Sequence, residues 1–471
     1  MTQQVFSPFL HSRKFWGVVL PFVLYIGISL LPSPDGLSVM GQKSIALMAA
    51  AIAVWLLEPI AVSFSAPLFV LLQAPLGLCA MPAAVSNFAS PLFIFIFILF
   101  CLAIAMENSG LTHRLALYAT IRSKGSPTRL IVFFICLSSL ASTVVADIPV
   151  CAMLLPVSLA ILQRNNVDIR GSNFGSALLI GVGIGSLIGG IGTPAGSAMN
   201  MLVIQLLSAN AHIDISFLEW SLIGMPMVIL LTPLICLVIC KLLPGEIVEL
   251  RGMDEARREY EALGPLSSKE IRFLVIFGIN ILLWYTDKLH HMPMQVSAMI
   301  CVAVLALPGV DILDWKRDRE RVNWDAIMLV GGSVAVATGM YQTGAATWIA
   351  ENVMGGFTSM PVLALITVIC IFTMIIQLLI PTSSAVVAVM GPPLLALAVA
   401  KGINPAALVI PLGICSSACM LTPINANYLI MCKFGYTRIR DMYIVGVPLC
   451  ICWAVVLLGV MRFIGAPLGF M

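Results

Sequence analysis

The chain has 471 residues, of which 60% are hydrophobic and only 10% are charged, with a formal net charge of +3. A soluble domain of average composition has about 25% charged residues, so this composition excludes a soluble protein and predicts an all-α polytopic membrane protein. The partners expected are the lipid bilayer and a small solute, not nucleic acid. The 13 cysteines form no CxxC and the five histidines fall in loops or near span ends, so neither a disulfide framework nor a metal centre is expected.

Apolar segments of roughly 17–25 residues, the length needed to cross a bilayer, recur along the chain. Eleven full spans are predicted at 15–31, 43–57, 61–78, 91–110, 175–207, 221–240, 271–287, 293–310, 323–342, 405–432 and 441–463. The stretches 130–163 and 360–400 are too long for one span and contain a Pro or polar break. They predict two re-entrant hairpins, with breaks and return arms near 141–160 and 381–400.

The distribution of Lys and Arg predicts the orientation. With the N-terminus in the cytoplasm, the outside loops keep only four of the 25 basic residues: Lys43, Lys288, Lys401 and Arg462. This asymmetry follows the positive-inside rule and predicts a cytoplasmic N-terminus and an external C-terminus. The absence of a long or glycosylated N-terminal extension favours a bacterial inner membrane.

Short matches at nearly one offset indicate an internal repeat. The sequence after Pro59 (PIAVS) resembles that after Pro293 (PMQVS), and the same offset of 234 joins Gly110 to Gly344. A third match joins Gly77 to Gly309. Five spans per half is an odd number, so the halves have opposite topology, which is the inverted repeat of alternating-access carriers. The predicted units are a first span (1–42), a first repeat (43–240), a cytoplasmic linker (241–270) and a second repeat (271–471).

Two apolar stretches, 181–200 and 412–427, contain a Thr-Pro followed by Asn and predict broken helices. A break inside hydrophobic sequence must line a cavity or a protein interior, and a pair of breaks at matching places indicates a transporter's substrate site. Because no Lys or Arg lies between Arg170 and Lys241 or between Arg321 and Lys401, an anion would be held by hydroxyls, amides and half-helix N-termini. The alternative is that these small polar residues only pack helices. The predicted substrate-binding residues here are Thr193, Pro194, Ser197, Asn200, Thr422, Pro423, Asn425 and Asn427.

Asp147 is the only charged residue between Arg129 and Arg164, and it lies in the first hairpin. An ionisable group at membrane depth is costly, so it is a functional candidate. It is expected to bind a cation, to carry a proton, or to be a structural acid held by backbone amides. The second hairpin instead offers three hydroxyls, which complete the predicted substrate site: Thr382, Ser383 and Ser384.

The chain resembles the divalent anion:sodium symporter family, the carriers of di- and tricarboxylates and of sulfate. The similarity spans nearly the whole length and is carried by five segments: 105–117 (AMENSGLTHRLAL), 189–200 (GGIGTPAGSAMN), 215–226 (ISFLEWSLIGMP), 322–332 (VNWDAIMLVGG) and 421–449. The resemblance implies a homodimer with a scaffold domain and a transport domain that moves like an elevator. It also implies hairpin tips with Ser-Asn-Thr motifs that hold substrate carboxylates and flank sodium sites.

The tip motifs of this chain depart from that pattern. The first motif falls on 146–148 (Ala-Asp-Ile) and the second on 382–384 (Thr-Ser-Ser). An Asp in place of Asn has two interpretations. It strengthens a cation site, since hard cations prefer anionic oxygens, or sodium coupling is lost and either Asp147 is protonated during transport or the protein exchanges one anion for another. The predicted coupling residues are Ser142, Asp147 and Gly192.

The expected function is secondary active transport of a small divalent organic anion, with C4-dicarboxylates such as succinate, malate or tartrate first. The carrier is either a cation-coupled symporter or an anion exchanger, with Na⁺ or H⁺ as the coupling ion and no other cofactor. Sulfate, sulfonates and tricarboxylates are the alternative substrates. An anion channel is a more remote reading. An enzyme is not expected, because no second ionisable residue lies near Asp147 in the sequence.

Overall fold

The computed structural model describes residues 13–169, 171–352, 355–357, 359–378, 383–421, 431–432 and 434–471. Within these ranges the chain forms helices and connecting turns and no strand. The prediction of an all-α fold is therefore confirmed. The predicted residues Thr382, Thr422, Pro423, Asn425 and Asn427 lie outside the described residues.

Among the described residues, the first half contains eleven α-helices. They are α1 (Arg13–Leu30), α2 (Val39–Leu57), α3 (Val62–Leu72), α4 (Met81–Phe88), α5 (Pro91–Ser109), α6 (Leu111–Arg122), α7 (Pro127–Ser142), α8 (Asp147–Arg164), α9 (Asn173–Gly190), α10 (Ala198–Ala211) and α11 (Phe217–Leu242). Several starts follow from capping chemistry, as at α11, where Ser216 accepts from the Glu219 N–H and the Glu219 carboxylate accepts from the Ser216 N–H.

The linker and the second half contain nine further helices of eight residues or more among the described residues. They are α12 (Met253–Ala262), α13 (Ser268–Tyr285), α14 (Met294–Leu305), α15 (Trp324–Gln342), α16 (Ala345–Asn352), α17 (Val362–Ile376), α18 (Ser383–Lys401), α19 (Ala406–Ser416) and α20 (Ile439–Val460). α12 carries six of the twelve charged residues of the predicted linker and packs on α6, where His113 pairs with Glu259 at 3.2 Å.

Eight stretches of helix in the described chain are long and apolar enough to cross a membrane. They are Val39–Leu57, Met81–Ser109, Asp147–Arg164, Asn173–Gly190, Phe217–Leu242, Trp324–Gln342, Ser383–Lys401 and Ile439–Gly465. Two of the eight are the return arms of the predicted hairpins, and the predicted spans at 61–78 and 293–310 are shorter apolar helices. The count of eleven crossings stays a prediction.

The repeat is visible in the order and spacing of the helices. α5 begins at Pro91 and α15 at Trp324, 233 residues later, and α7 and α17 begin at Pro127 and Val362, 235 residues apart. The two matched glycine pairs, Gly110 with Gly344 and Gly77 with Gly309, all have positive φ, which glycine adopts without steric cost. The halves therefore share their turns as well as their helices. The predicted domain boundaries stay a prediction.

Glycines bring the first hairpin and the broken helix into close contact. Gly181, Gly185 and Gly189 lie four residues apart on α9, and a Cβ on any of them would meet α7 at 2.0–2.9 Å, at Ile135, Ser138 or Ser139. Small residues of this kind let helix backbones approach in a membrane. The glycine run is thus a packing surface, and it sets how closely the tip of the hairpin meets the end of α9.

Candidate substrate and cation site

The tip of the first hairpin (residues 142–148, the first tip) is a short turn between two helices. α7 ends at Ser142, residues 143–146 form the turn, and α8 begins at Asp147. The Ile148 N–H donates to Asp147 Oδ1 at 2.9 Å, so the carboxylate lies against the first turn of its own helix. A carboxylate at this position also interacts favourably with the positive end of the helix dipole.

The break in the second element of the site (residues 191–197, the first break) lies between α9 and α10. A single 3-10 turn, Pro194–Gly196, occupies its centre. Thr193 caps this turn by accepting from the Ala195 N–H at 3.2 Å, and Ser197 caps α10 by accepting from the Met199 N–H at 3.4 Å. The half-helix therefore begins after Ser197, and Thr193-Pro194 lies in the turn that precedes it.

Thr193 joins the first break to the first tip. Its hydroxyl donates to the carbonyl oxygen of Thr143, and its side chain is only 1% exposed. Because the hydroxyl also accepts from Ala195, it already has two partners in this arrangement. Its predicted contact with substrate stays a prediction, while its role in holding tip and break together is observed.

Asn200 links α10 to the end of α9 and to Thr193 in the first break. Its amide nitrogen donates to Gly190 O and to Thr193 O, both at 2.7 Å. Its Oδ1 is buried and has no hydrogen-bond partner among the described residues, and the same holds for Ser142 Oγ. Such buried polar atoms are rare, and the Asn200 oxygen is an acceptor. This oxygen therefore suits a bound cation. Asn200 had instead been predicted to bind the anionic substrate.

Oxygen atoms converge around Gly190. A Cβ built on this residue would lie 3.1 Å from Gly196 O, 3.3 Å from Asp147 Cβ and 3.6 Å from Ser142 Oγ. A hydroxyl oxygen, a carbonyl oxygen and the Cβ of an acidic side chain thus lie around Gly190, at the place where the side chain of any larger residue would meet them. Hydroxyl, carbonyl and carboxylate oxygens are the ligands of hard cations, so these residues fit a small cation such as Na⁺.

Gly192, the third predicted coupling residue, lies in the same break. Its N–H donates to Gly189 O at 2.9 Å, and its carbonyl oxygen would lie 2.6 Å from a Cβ on Gly224 of α11. The Trp220 indole donates to the neighbouring Ile191 O at 3.0 Å. The break is therefore fixed by α11, and a part for Gly192 in cation coupling stays a prediction.

The two helices of the second hairpin are α17, which ends at Ile376, and α18, which is described from Ser383. Of the segment between them, the second tip, residues 379–382 lie outside the described residues. Gln377, which is 2% exposed, donates to Ser416 O at 2.6 Å and to Cys415 O at 3.3 Å. Ser383 Oγ lies 2.9 Å from Cys419 Sγ, and Ser384 is buried. The described residues of this tip carry hydroxyl, amide and thiol groups but no carboxylate.

Sequence reasoning missed Gly190, Thr143 and Gln377. Thr143 acts through its backbone carbonyl, which no side-chain pattern reveals. The signal available for Gln377 was its position as the only amide in the apolar run 362–380. For Gly190 it was the Gly189-Gly190 pair directly before the polar turn.

Outside the membrane segments, one carboxylate anchors the start of α9. Glu246 accepts hydrogen bonds from the Ser172 hydroxyl and from the N–H groups of Asn173 and Phe174. Burial opposes the charged form, but these hydrogen bonds outweigh it and hold the pKa of Glu246 below its usual range. The segment after α11 is thereby fixed to the first turn of the broken helix.

Comparison with known families decides the class of the protein. The model of the sodium:sulfate symporter transmembrane region matches residues 12–471. The chain belongs to this family. The resemblance to divalent anion:sodium symporters is thus confirmed over nearly the whole chain, and membership makes the protein a membrane transporter.

Named relatives cover the chain almost completely. The sodium-dependent dicarboxylate transporter SdcS of Staphylococcus saprophyticus is 28% identical, over 96% of this chain and 91% of that protein. SdcS of Staphylococcus aureus strain USA300 is 26% identical, over 95% and 90%. A membrane protein of Cupriavidus necator is 26% identical, over 93% and 89%.

Two solved structures share the fold. The crystal structure of the YdaH transporter of Alcanivorax borkumensis superposes with a TM-score of 0.55 at 18% identity and covers 82% of this chain and 88% of that chain. MtrF of Neisseria gonorrhoeae, described among antimetabolite efflux pumps, gives a TM-score of 0.52 at 14% identity and covers 95% and 94%. At these identities the similarity concerns the fold alone.

Proposed function

We propose that the protein is a sodium-coupled symporter of small dicarboxylates, with C4-dicarboxylates such as succinate first. The observation that carries the proposal is the convergence of Ser142 Oγ, Asp147 and the Gly196 carbonyl around Gly190. The buried oxygens of Ser142 and Asn200, which have no hydrogen-bond partner in the described part of the chain, supply the acceptors that a cation requires. Relatives named as sodium-dependent dicarboxylate transporters support both the ion and the substrate class.

The order of binding follows from charge. An ionised Asp147 repels a dianion, and this repulsion is strong where water is excluded. A cation bound at the first tip neutralises the carboxylate and fixes tip and break together, so that the anion then meets hydroxyl and N–H donors. Coupling arises because each ligand binds better when the other is present, which is a reciprocal free energy. An elevator-like movement of the hairpins and broken helices then carries both ligands across the membrane.

The remaining parts of the proposal concern topology and assembly. The N-terminus lies in the cytoplasm of a bacterial cell and the C-terminus lies outside, as the positive-inside rule indicates. The protein works as a homodimer, and it moves its substrate without chemical change. The family description, which names sulfate, makes sulfate the second substrate to test.

The test is uptake of labelled succinate into proteoliposomes, with and without an inward sodium gradient, into vesicles that are empty or preloaded with unlabelled dicarboxylate. The proposal expects sodium to accelerate uptake into empty vesicles. Uptake that needs internal dicarboxylate and ignores sodium would show an exchanger instead. Uptake that follows a proton gradient at constant sodium would assign Asp147 to proton transfer, and sulfate uptake alone would change the substrate.

A further inference from the structure

A partly polar cavity borders the first tip. It has a volume of about 200 Å³ and lies between α5, the first turns of α8 and the segment before α15. Its lining includes Phe100, Glu107, Ile148, Pro149, Arg321 and Asn323. Ile148 is the residue whose N–H contacts the Asp147 carboxylate. The cavity therefore ends against the helix turn that carries the proposed cation site.

Arg321 is the positively charged residue in the lining of this cavity, and its interactions with its three partners differ in strength. Its guanidinium lies 2.5 Å from Glu107 Oε2, 2.8 Å from Asn108 Oδ1 and 3.4 Å from Asp318 Oδ1. Asp318 is buried and already accepts two hydrogen bonds at 2.9 Å from Arg317. Glu107 is about half exposed, and exposed ion pairs contribute little to stability. Glu107 is thus the partner that an incoming anion displaces most easily.

The repeat provides a second cavity for comparison. α5 corresponds to α15 and α8 to α18, and a cavity of only about 10 Å³ lies between α10, α15 and α18. Ile104 and Ala152 of the large cavity correspond by helix position to Ala337 and Ala388 of the small one. The small cavity has no charged residue in its lining. The cavity beside the first tip is thus the larger of the two and carries a cation, while the space between α10, α15 and α18 is small and uncharged in its described lining.

We propose that the larger cavity is the entrance subsite for the dianionic substrate. One carboxylate of the substrate binds to Arg321 in place of the Glu107 carboxylate. This rests on the proposed function, since it assumes that the transported solute is a dicarboxylate. A planar guanidinium pairs with a carboxylate through two parallel hydrogen bonds. The substrate's second carboxylate then points along the cavity towards the first tip. Glu107 competes with substrate and occupies Arg321 when the entrance is empty.

Opposite effects of two substitutions distinguish capture from a structural ion pair. Arg321→Gln removes the anion's partner and raises the succinate KM from this entrance about tenfold, which corresponds to one charge-assisted hydrogen-bonded pair. Glu107→Gln removes the competitor and lowers the same KM severalfold. A structural ion pair predicts that both substitutions impair transport alike. A lower KM cannot arise from misfolding, so the second variant keeps the test decisive.

The measurement uses right-side-out and inverted membrane vesicles from the same expressing cells, with labelled succinate as the probe. Arg319→Gln is the matched control, because it removes an exposed cation of the same segment that does not line the cavity. The KM from the opposite entrance stays within about twofold in all three variants. Three outcomes would contradict the entrance proposal but not the proposed function. They are equal KM shifts for Arg319→Gln and Arg321→Gln, KM shifts of the same sign for Arg321→Gln and Glu107→Gln, and unchanged KM values. Absence of succinate uptake by the unaltered protein overturns the proposed function and the entrance together.

Discussion

In the first half the chain turns at 143–146 and resumes a helix at Asp147, whereas in the second half the corresponding helix begins at Ser383, 236 residues later. At the first tip, Thr193 and Asn200 bond to backbone carbonyls, while Ser142 Oγ and Asn200 Oδ1 are buried and have no hydrogen-bond partner among the described residues. At the second tip, an amide side chain, Gln377, holds the end of α19 through two carbonyls. The same helix pattern thus carries an anionic, oxygen-rich tip and a neutral one.

This difference indicates how the two halves of a repeat can bind different ligands, a cation in one half and an anion in the other. A site with a carboxylate and free oxygens attracts a cation, and a neutral site with hydroxyl and N–H donors suits an anion. If both tips bound the same ion, their chemistry would not need to diverge. We therefore assign the coupling cation to the first tip and a share of the dianion to the second. The predictions below disturb one tip at a time.

The largest effect is expected from Gly196→Ala, which breaks the first tip outright. The added Cβ would lie 2.5 Å from Gly190 O and 2.6 Å from Ser142 O, so backbone atoms of the break or the tip must move. Succinate uptake is expected to fall to background, with a loss of about 1–3 kcal/mol in stability from overpacking. Gly278→Ala on α13 is the control, because a Cβ there meets nothing within 4 Å. Normal uptake by Gly196→Ala would show that the tip and break need not meet.

A substitution at the second tip, Gln377→Leu, is expected to be the next most damaging. It removes two hydrogen bonds to the end of α19, although Cys415 O keeps the Ala418 N–H and Ser416 O keeps the Cys419 thiol. The expected loss of stability is about 1 kcal/mol for each hydrogen bond. The melting temperature of the purified protein falls and the succinate KM rises, while the sodium concentration for half-activation stays unchanged. A shift of sodium activation in this variant would place a cation at the second tip as well.

Gly190→Ala sharpens the comparison with a smaller change. The new methyl group would lie 3.1 Å from Gly196 O and 3.3 Å from Asp147 Cβ, so it narrows the proposed cation site without a severe clash. The sodium concentration for half-activation of uptake is expected to rise about fivefold, equivalent to about 1 kcal/mol, with little change in maximal rate. Sodium activation identical to that of the unaltered protein would show that the cation does not bind beside Gly190.

The smallest effect concerns the anchor of α9 at Glu246. Its pKa is held below the usual 4.5 by three hydrogen bonds, so its contribution to stability is complete at neutral pH. That contribution is lost as the pH falls through the lowered pKa. The melting temperature of the unaltered protein should therefore decrease more steeply below pH 4.5 than that of Glu246→Gln. Parallel melting curves would mean that this anchor adds nothing measurable.

The sequence was sufficient to locate the hairpin, the break and the repeat. Thr193-Pro194 inside apolar sequence marked the break, Asp147 marked the first tip within its hairpin, and Gly110 with Gly344 marked the repeat, because each has a local chemical signature. The helix boundaries observed near these residues agree with the predicted segments to within a few residues.

The assignment of individual hydroxyls and amides was not predictable. Thr193 was expected to face substrate, yet its hydroxyl bonds to Thr143 O, whereas Ser142 Oγ has no partner within the described ranges. Which hydroxyl forms a hydrogen bond within the protein depends on how closely α7 approaches α9. That distance is set by contacts at Gly185 and Gly189. Such tertiary distances leave no periodic signal in the chain.

Sodium activation of succinate uptake by Asp147→Asn, compared with Ser383→Ala, tests the central claim most directly. The two residues begin corresponding helices, so the pair isolates the chemistry of the two tips. The account predicts that the half-activating sodium concentration rises at least about tenfold in Asp147→Asn, since a carboxylate ligand is lost. Ser383→Ala should keep normal sodium activation. Unchanged activation in Asp147→Asn, or an equal shift in both variants, would contradict the assignment of the cation to the first tip.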